Sequence, residues 1–209
     1  METSRPSAPG GTAEAPTPGR RRVPVATAAV LLVTGVVTTS QFVHPEVLDT
    51  LRRDPDALAS GEWWRTFTPL LVQSPAWQAL VTVPGIALLG VPVERLLGSR
   101  AMLALYLAPA AVGEALGYLW QPHGAGNSIA DLGLAGGLVA WLFLAAGERG
   151  WPRPLLNRVR IWGGAVLAGA VVDTAFRDIH GLPTLTGAAL GAGLLLLRRR
   201  RSRRDTTAV

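Results

Sequence analysis

The chain has 209 residues, 49% of them hydrophobic and only 16% charged, with a mean hydropathy of +0.30. Soluble domains carry about 25% charge, so the deficit and the long uncharged runs place this chain in a bilayer. Cysteine is absent, which excludes disulfides, thiolate nucleophiles and cysteine-ligated metals, and the net charge of +6 sits in arginines beside apolar runs, which points to lipid and topology rather than to nucleic acid.

Residues 1–22 are rich in Pro, Gly, Ser, Thr and Ala, lack a periodic apolar face and end in Arg20-Arg21-Arg22. That composition predicts a disordered tail. A first span follows from Val23 to Val43. A signal-peptide core runs about 7–15 residues; this run is longer and lacks a clear Ala-x-Ala cleavage site at its end, so it reads as a retained helix. His44 to Arg65 is polar, with Leu48, Leu51, Leu58 and Trp63-Trp64 interleaved among charges. It reads as an interfacial segment, partly helical, with the tryptophan rings at headgroup level.

The second span, Phe67 to Val91, is interrupted by Pro69, Pro75 and Pro84 and is expected to be irregular near its start. Gln78 and Thr82 are one helical turn apart and share a face. Pro92 to Arg100 reads as a polar turn, Ala101 to Trp120 as a third span holding Glu114, and Gln121 to Asn127 as a Gly/Pro loop holding His123. The fourth span is Ser128 to Gly147, with Asp131 near its start. A basic interval with Arg149, Arg153, Arg158 and Arg160 leads to the fifth span, Ile161 to Phe176, whose far end carries Asp173, Arg177 and Asp178. The sixth span runs from His180 to Leu197 and meets a basic tail, residues 198–209. The fold class predicted is an all-α, six-helix polytopic membrane bundle over residues 23–197, with no internal repeat.

An even number of spans returns both termini to one side. That side collects Arg20 to Arg22, Arg95, Arg100, Arg149, Arg153, Arg158, Arg160 and the tail cluster, against Arg52, Arg53, Arg65 and Arg177 on the other. The positive-inside rule makes the first side cytoplasmic. Ser128 and His180 then lie at the outer ends of parallel spans, as do the remaining histidines, His44 and His123. Gly133 and Gly137 on span four, and Gly187 and Gly191 on span six, form small-xxx-small faces that let two helices approach closely in lipid. Packing of those faces would carry Ser128 toward His180.

Read locally, Ser128-Ile129-Ala130-Asp131 is a capping-box pattern, in which a serine needs no chemistry. Read with His180 at matched depth, Ser128 is a candidate nucleophile and His180 its base. The two roles are compatible, because a helix start offers backbone N–H groups to an oxyanion.

Several motifs resemble the rhomboid intramembrane serine proteases over most of the chain after the tail. They are Gly61-Glu62-Trp63-Trp64-Arg65 with Thr68-Pro69-Leu70, Val93-Glu94-Arg95-Leu96-Leu97-Gly98, Gly126-x-Ser128 with Gly133-Leu134, and His180 with Gly187 and Gly191. The resemblance implies a six-helix membrane fold and a catalytic dyad of Ser128 and His180 acting without an aspartate. It implies a cell-membrane endopeptidase that cuts single-span membrane proteins, with no cofactor, metal or nucleic-acid partner. Gln78, Thr82 and Asn127 are the candidate oxyanion or substrate-binding residues. The sequence departs from the family pattern at Ile129, where a glycine is usual, and at Gln78 and Thr82, where His and Asn are usual. Losing an oxyanion donor costs roughly 10²–10³ in rate, so a pseudoprotease that holds membrane clients without cutting them is the alternative. A transporter using the intramembrane carboxylates Glu114 and Asp131 is a third reading, disfavoured by the lack of repeats and paired broken helices. The outer histidines lack helix-spaced metal-ligand pairs.

Overall fold

The computed structural model describes residues 23–145 and 150–207. The predicted disordered tail of residues 1–22, the end of the fourth span with Glu148 and Arg149, and residues 208–209 lie outside the described residues. The described helices are α1 (Val25–Val43), α2 (Glu46–Leu51), α3 (Pro55–Ala59), α4 (Ala79–Leu97), α5 (Ser99–Trp120), α6 (Ser128–Ala145), α7 (Arg153–Ala175) and α8 (Gly181–Thr207). Six of these segments are long and apolar enough to cross a membrane, in the order α1, α4, α5, α6, α7 and the first part of α8. The fold is all-α; among the described residues, β pairing is confined to two isolated bridges, Arg53 with Gly124 and Ser74 with Ala125.

α1 is amphipathic in the sense that lipid demands. Thr27, Thr34, Thr38 and Gln41 recur along one face and are buried, while Leu32, Val33, Val36 and Phe42 are exposed. In hydrocarbon a polar side chain must find its partner inside the protein. Thr38 donates to the Leu71 carbonyl at 3.0 Å, and Gln41 exchanges two 2.8 Å bonds with the backbone of Gln73. Glu94, near the end of α4, accepts the backbone N–H groups of Ala26 and Thr27 at 2.9 and 2.7 Å and the hydroxyls of Thr27 and Ser99 at 2.7 Å each. It thereby satisfies first-turn donors of α1 that no intrahelical carbonyl can reach. Arg198 of α8 donates to the Leu96 and Leu97 carbonyls at the same end of α4. The starts of α1 and the ends of α4 and α8 therefore share one face of the bundle.

On the opposite face, residues 44–78 wrap the bundle in short helices and three-ten turns. Arg65 pins this segment: it pairs with Glu62 at 2.6 Å and donates to the carbonyls of Asp49 and Arg52 at 2.8 and 2.9 Å. Trp63 is left exposed, as an interfacial anchor would be.

α6 is the most enclosed span and α7 the least. α8 lies directly against α6. A Cβ on Gly187 would fall 2.0 Å from the Gly133 carbonyl oxygen, and one on Gly191 would fall 2.8 Å from Gly137 Cα. The two glycine faces therefore meet as the spacing predicts. Gly136 belongs to the same contact, since a Cβ there would fall 2.0 Å from the Thr184 carbonyl oxygen. The α6 glycines are also walled from the other side, where Gly133 and Gly137 face Pro109 and Leu105 of α5.

Three boundaries differ from expectation. The second span does not stop at Pro92; α4 continues to Leu97 with Pro84 and Pro92 inside it, and only Gly98, at φ 90°, breaks the chain before α5. Its start is indeed irregular, as three-ten turns at Thr68–Leu71 and Ala76–Gln78. α7 begins at Arg153 rather than Ile161, because Pro154 falls in its first turn, where a missing N–H costs nothing. α8 runs through the basic residues to Thr207 rather than stopping at Leu197; arginine is a good helix former and suits a helix C-terminus.

Candidate active site

The loop between α5 and α6 is held by backbone bonds to two earlier segments. Arg53 N–H donates to the Gly124 carbonyl at 2.9 Å, Gly126 N–H to that of Pro69 at 2.9 Å, and Ser74 N–H to that of Ala125 at 3.4 Å. Gly126 stands at φ 146°, and a Cβ there would lie 2.9 Å from Gln78 Nε2. The loop thus delivers the start of α6 against the start of α4.

The carbonyl of Asn127 accepts the N–H groups of Ala130 and Asp131, both at 3.0 Å. Asn127 is therefore the cap of α6, and Ser128 is the first residue inside it. The capping-box reading of Ser128 through Asp131 is off by one position, and the serine hydroxyl is left for other work. Ser128 Oγ lies 2.9 Å from His180 Nε2.

His180 is placed by the α7–α8 turn. Arg177 adopts the left-handed conformation, φ 58°. Its N–H donates to Thr174 O at 3.1 Å, and Asp178 N–H donates to Asp173 O at 2.8 Å. This is the Schellman pattern, with arginine where glycine is usual. It turns Asp178 back over His180. Asp178 Oδ1 accepts the His180 backbone N–H at 2.9 Å and lies 2.6 Å from His180 Nδ1. Partial burial raises the Asp178 pKa, but the His180 backbone N–H, the His180 ring and the Gln121 side chain outweigh it and hold the carboxyl below its ordinary range. Behind the histidine, Gly181 packs directly onto α7, where a Cβ would fall 2.3 Å from Thr174 Oγ1.

A cavity of about 150 Å³ opens beside the pair and is lined by Ser128, His180, Gln78, His123, Arg53 and Glu114 among others. Of the three polar candidates from the sequence, only Gln78 lines it. The Thr82 hydroxyl lies 3.1 Å from both Gln73 Oε1 and the Gln78 carbonyl, so its one proton is engaged. Asn127 is fully buried; it accepts from Gln73 Nε2 at 2.7 Å and donates to the Thr82 carbonyl at 3.2 Å. Thr82 and Asn127 thus belong to a buried network with Gln73 and Gln41 that joins α1, α4 and α6. Gln73 is the hub of that network and was not singled out from the sequence; an uncharged polar residue flanked by prolines in an apolar run was the available signal.

Ile129, at the position where the resembled family has glycine, is 1% exposed. Its place is made by Gly113 of α5, where a Cβ would meet Ile129 Cβ at 2.9 Å. Glu114 is not a lone carboxylate. Arg53 pairs with it at 2.7 Å, both side chains buried, and also donates to the Gln121 carbonyl at 3.0 Å. Gly117 leaves room for that guanidinium. Asp131 points toward α4, where Gly85 accommodates it, rather than into the cavity. His123 lines the cavity, and His44 sits apart beside Glu46 at 3.2 Å. Arg53 and Asp178 were missed as site residues in the sequence. A buried intramembrane carboxylate demands a cation, and an aspartate three residues before a helix start favours a local turn onto the backbone; those were the signals.

The family model described as Rhomboid domain matches residues 60–201, from the end of the first loop through α8. The chain is 31% identical over 98 residues to Rhomboid protease GluP of Bacillus subtilis (strain 168), covering 46% of this chain and 19% of that protein. It is 33% identical over 81 residues to Putative rhomboid protease YdcA of the same organism, covering 38% of this chain and 41% of that protein. The matches thus span less than half the length of either relative. The domain match reaches across five of the six spans and both residues of the Ser128–His180 contact, and on that ground the chain belongs to the rhomboid family.

Proposed function

We propose that the protein is an intramembrane serine endopeptidase that cuts single-span membrane proteins near the outer face of the cell membrane. The observation that carries this reading is the 2.9 Å approach of Ser128 Oγ to His180 Nε2 at the mouth of two spans. Ser128 Oγ adds to the scissile carbonyl carbon while its proton passes to His180 Nε2. The carbonyl oxygen becomes an oxyanion beside the Ser128 and Ile129 N–H groups, which precede the first bonds to the Asn127 carbonyl. Collapse expels the amine, which takes the proton from Nε2 and leaves an ester on Ser128. Water then loses a proton to Nε2 and adds to the ester; the second collapse reprotonates Ser128 and frees the new carboxyl terminus.

The test uses the full chain in bilayers. A fluorophosphonate should form an adduct that peptide mapping locates at Ser128, and a single-span reporter should be cut. Capture of the reporter without adduct or cleavage would replace this reading with that of a client-binding pseudoprotease, the alternative that the buried Ile129 favours.

Gln78 is the side-chain donor proposed for the oxyanion, since it alone of the three polar candidates lines the cavity. Gln78→Leu is expected to lower kcat by roughly 10²-fold with KM little changed. Equal turnover by the variant and the parent protein would remove Gln78 from the mechanism.

Both termini are proposed to be cytoplasmic. The face shared by the α1 start and the α8 end carries Arg95, Arg100, Arg153, Arg158, Arg160 and Arg198, while two of the four arginines opposite, Arg53 and Arg65, are buried in ion pairs. The chain has no cysteine, so single cysteines report cleanly. Ser60→Cys should react with an impermeant maleimide in intact cells, and Ser202→Cys only after lysis. The opposite pattern would invert the topology.

A further inference from the structure

We infer that Asp178 is a third member of the site, a positioning residue that fixes the tautomer and the ring angle of His180. The inference rests on the protease reading above and adds to its dyad a third side chain that positions the base.

The geometry supplies two independent holds on one ring. Asp178 Oδ1 is 2.6 Å from Nδ1, and Ser128 Oγ is 2.9 Å from Nε2. A neutral imidazole carries one proton. With a carboxylate at Nδ1, that proton belongs on Nδ1, since an unprotonated Nδ1 would set a lone pair against an anion. Nε2 is then the acceptor and faces the Ser128 hydroxyl, as a general base must. The reverse tautomer would point an N–H at Ser128 and leave no base.

The carboxylate is itself held. The same Oδ1 accepts the His180 backbone N–H at 2.9 Å, and the Gln121 side chain stabilises its charged form. The turn that presents it is closed by two backbone bonds and needs Arg177 in the left-handed region. A residue that only capped α8 would require the bond to the backbone and not the one to the ring. Asp178 makes both, and its side chain is 40% exposed, so its charge is retained without a second counter-ion. When the ring takes the serine proton it becomes a cation between two oxygens; Asp178 then stabilises the imidazolium and does not itself take the proton.

The test compares the parent protein with Asp178→Asn, Asp178→Ala and Asp178→Glu, all as full chains in bilayers. ¹⁵N spectra of the ring nitrogens at a pH where His180 is neutral read the tautomer directly, whether or not any substrate is cut. The parent protein should show Nδ1 protonated and strongly hydrogen-bonded, and Asp178→Ala should lose that signature or populate the Nε2-protonated form. In cleavage assays Asp178→Asn and Asp178→Ala should lower kcat by roughly 10²-fold or more with KM unchanged, and Asp178→Glu should recover part of it. Thermal unfolding should move little in all three. An unchanged tautomer in Asp178→Ala, or full kcat in Asp178→Asn, overturns the assignment. Loss of kcat only in step with loss of folded protein also overturns it, since Asp178 would then be a cap. A parent protein that cuts nothing defeats the protease reading, and the ring spectra still decide whether Asp178 sets the histidine.

Discussion

Ser128→Ala and His180→Ala are each expected to lower kcat by roughly 10⁴-fold or more, and the double variant should be no slower than the worse single one. The reason is that the two side chains act as one unit. A serine hydroxyl without a base is a poor nucleophile at neutral pH, and a base without a nucleophile has no proton to take. Removing either one removes the whole 2.9 Å contact, so the losses do not add. Residual turnover would come from whatever the α6 N-terminus and Gln78 still offer an oxyanion. The measurement is initial cleavage of a single-span reporter by the four forms in one lipid mixture. Additive losses would mean that Ser128 and His180 work in separate steps. A His180→Ala form that cuts at the parental rate would transfer the base role to His123, the other histidine on the cavity.

Gly187→Leu should be the most damaging single change to the fold. Its Cβ would fall 2.0 Å from the Gly133 carbonyl oxygen, and that atom is backbone, unable to swing aside. α6 cannot retreat, because Gly133 and Gly137 are backed by Pro109 and Leu105 of α5. Overpacking a tight site costs about 1–3 kcal/mol and occasionally more; with two helix backbones as the colliding parts, at least about 3 kcal/mol is expected here. Relief requires α8 to tilt away from α6, which separates His180 from Ser128, so activity should vanish with stability. Gly193→Leu is the control on the same helix, since a Cβ there meets nothing within 4 Å. Unfolding of both variants in the same detergent, followed by cleavage assays, makes the comparison. If Gly187→Leu is as stable as Gly193→Leu, the close α6–α8 contact is not what holds the bundle.

Much of this contact was legible in the chain. Hydropathy located the six spans, and the four-residue spacing of glycines on spans four and six predicted the face that joins them. The span count predicted which helix ends lie together, and the Arg198 and Glu94 contacts agree with it. What escaped has physical causes. Pro92 looked like a terminator, yet α4 carries it internally, because a membrane helix can leave a carbonyl to other partners. The basic run after Leu197 looked like a tail, yet arginine sustains a helix as well as most residues. Arg53 comes from a loop 61 positions before Glu114, and no local pattern announces a partner at that distance. Thr82 has the right position on α4 but the wrong neighbours: Gln73, from the irregular turn before the helix, occupies its hydroxyl. Asp178 was visible as a charge and invisible as a partner, because its contact depends on the left-handed turn at Arg177.

Glu94 bears on how the protein is built as it is made. Ala26 and Thr27 leave the ribosome 68 and 67 residues ahead of the carboxylate that will hold their N–H groups. At 5–20 residues per second, that gap is on the order of ten seconds. During it, the first turn of α1 has only interfacial water as a partner, and the helix is free to slide along the bilayer normal or to tilt. The arrival of α4 ends that freedom, because three hydrogen bonds from Ala26 and Thr27 to one carboxylate fix the depth of α1 to a fraction of a turn. A nascent chain arrested before residue 94 should therefore hold a first span whose depth follows membrane thickness. One arrested after Ser99 has emerged should hold it at a single depth in thick and thin bilayers alike.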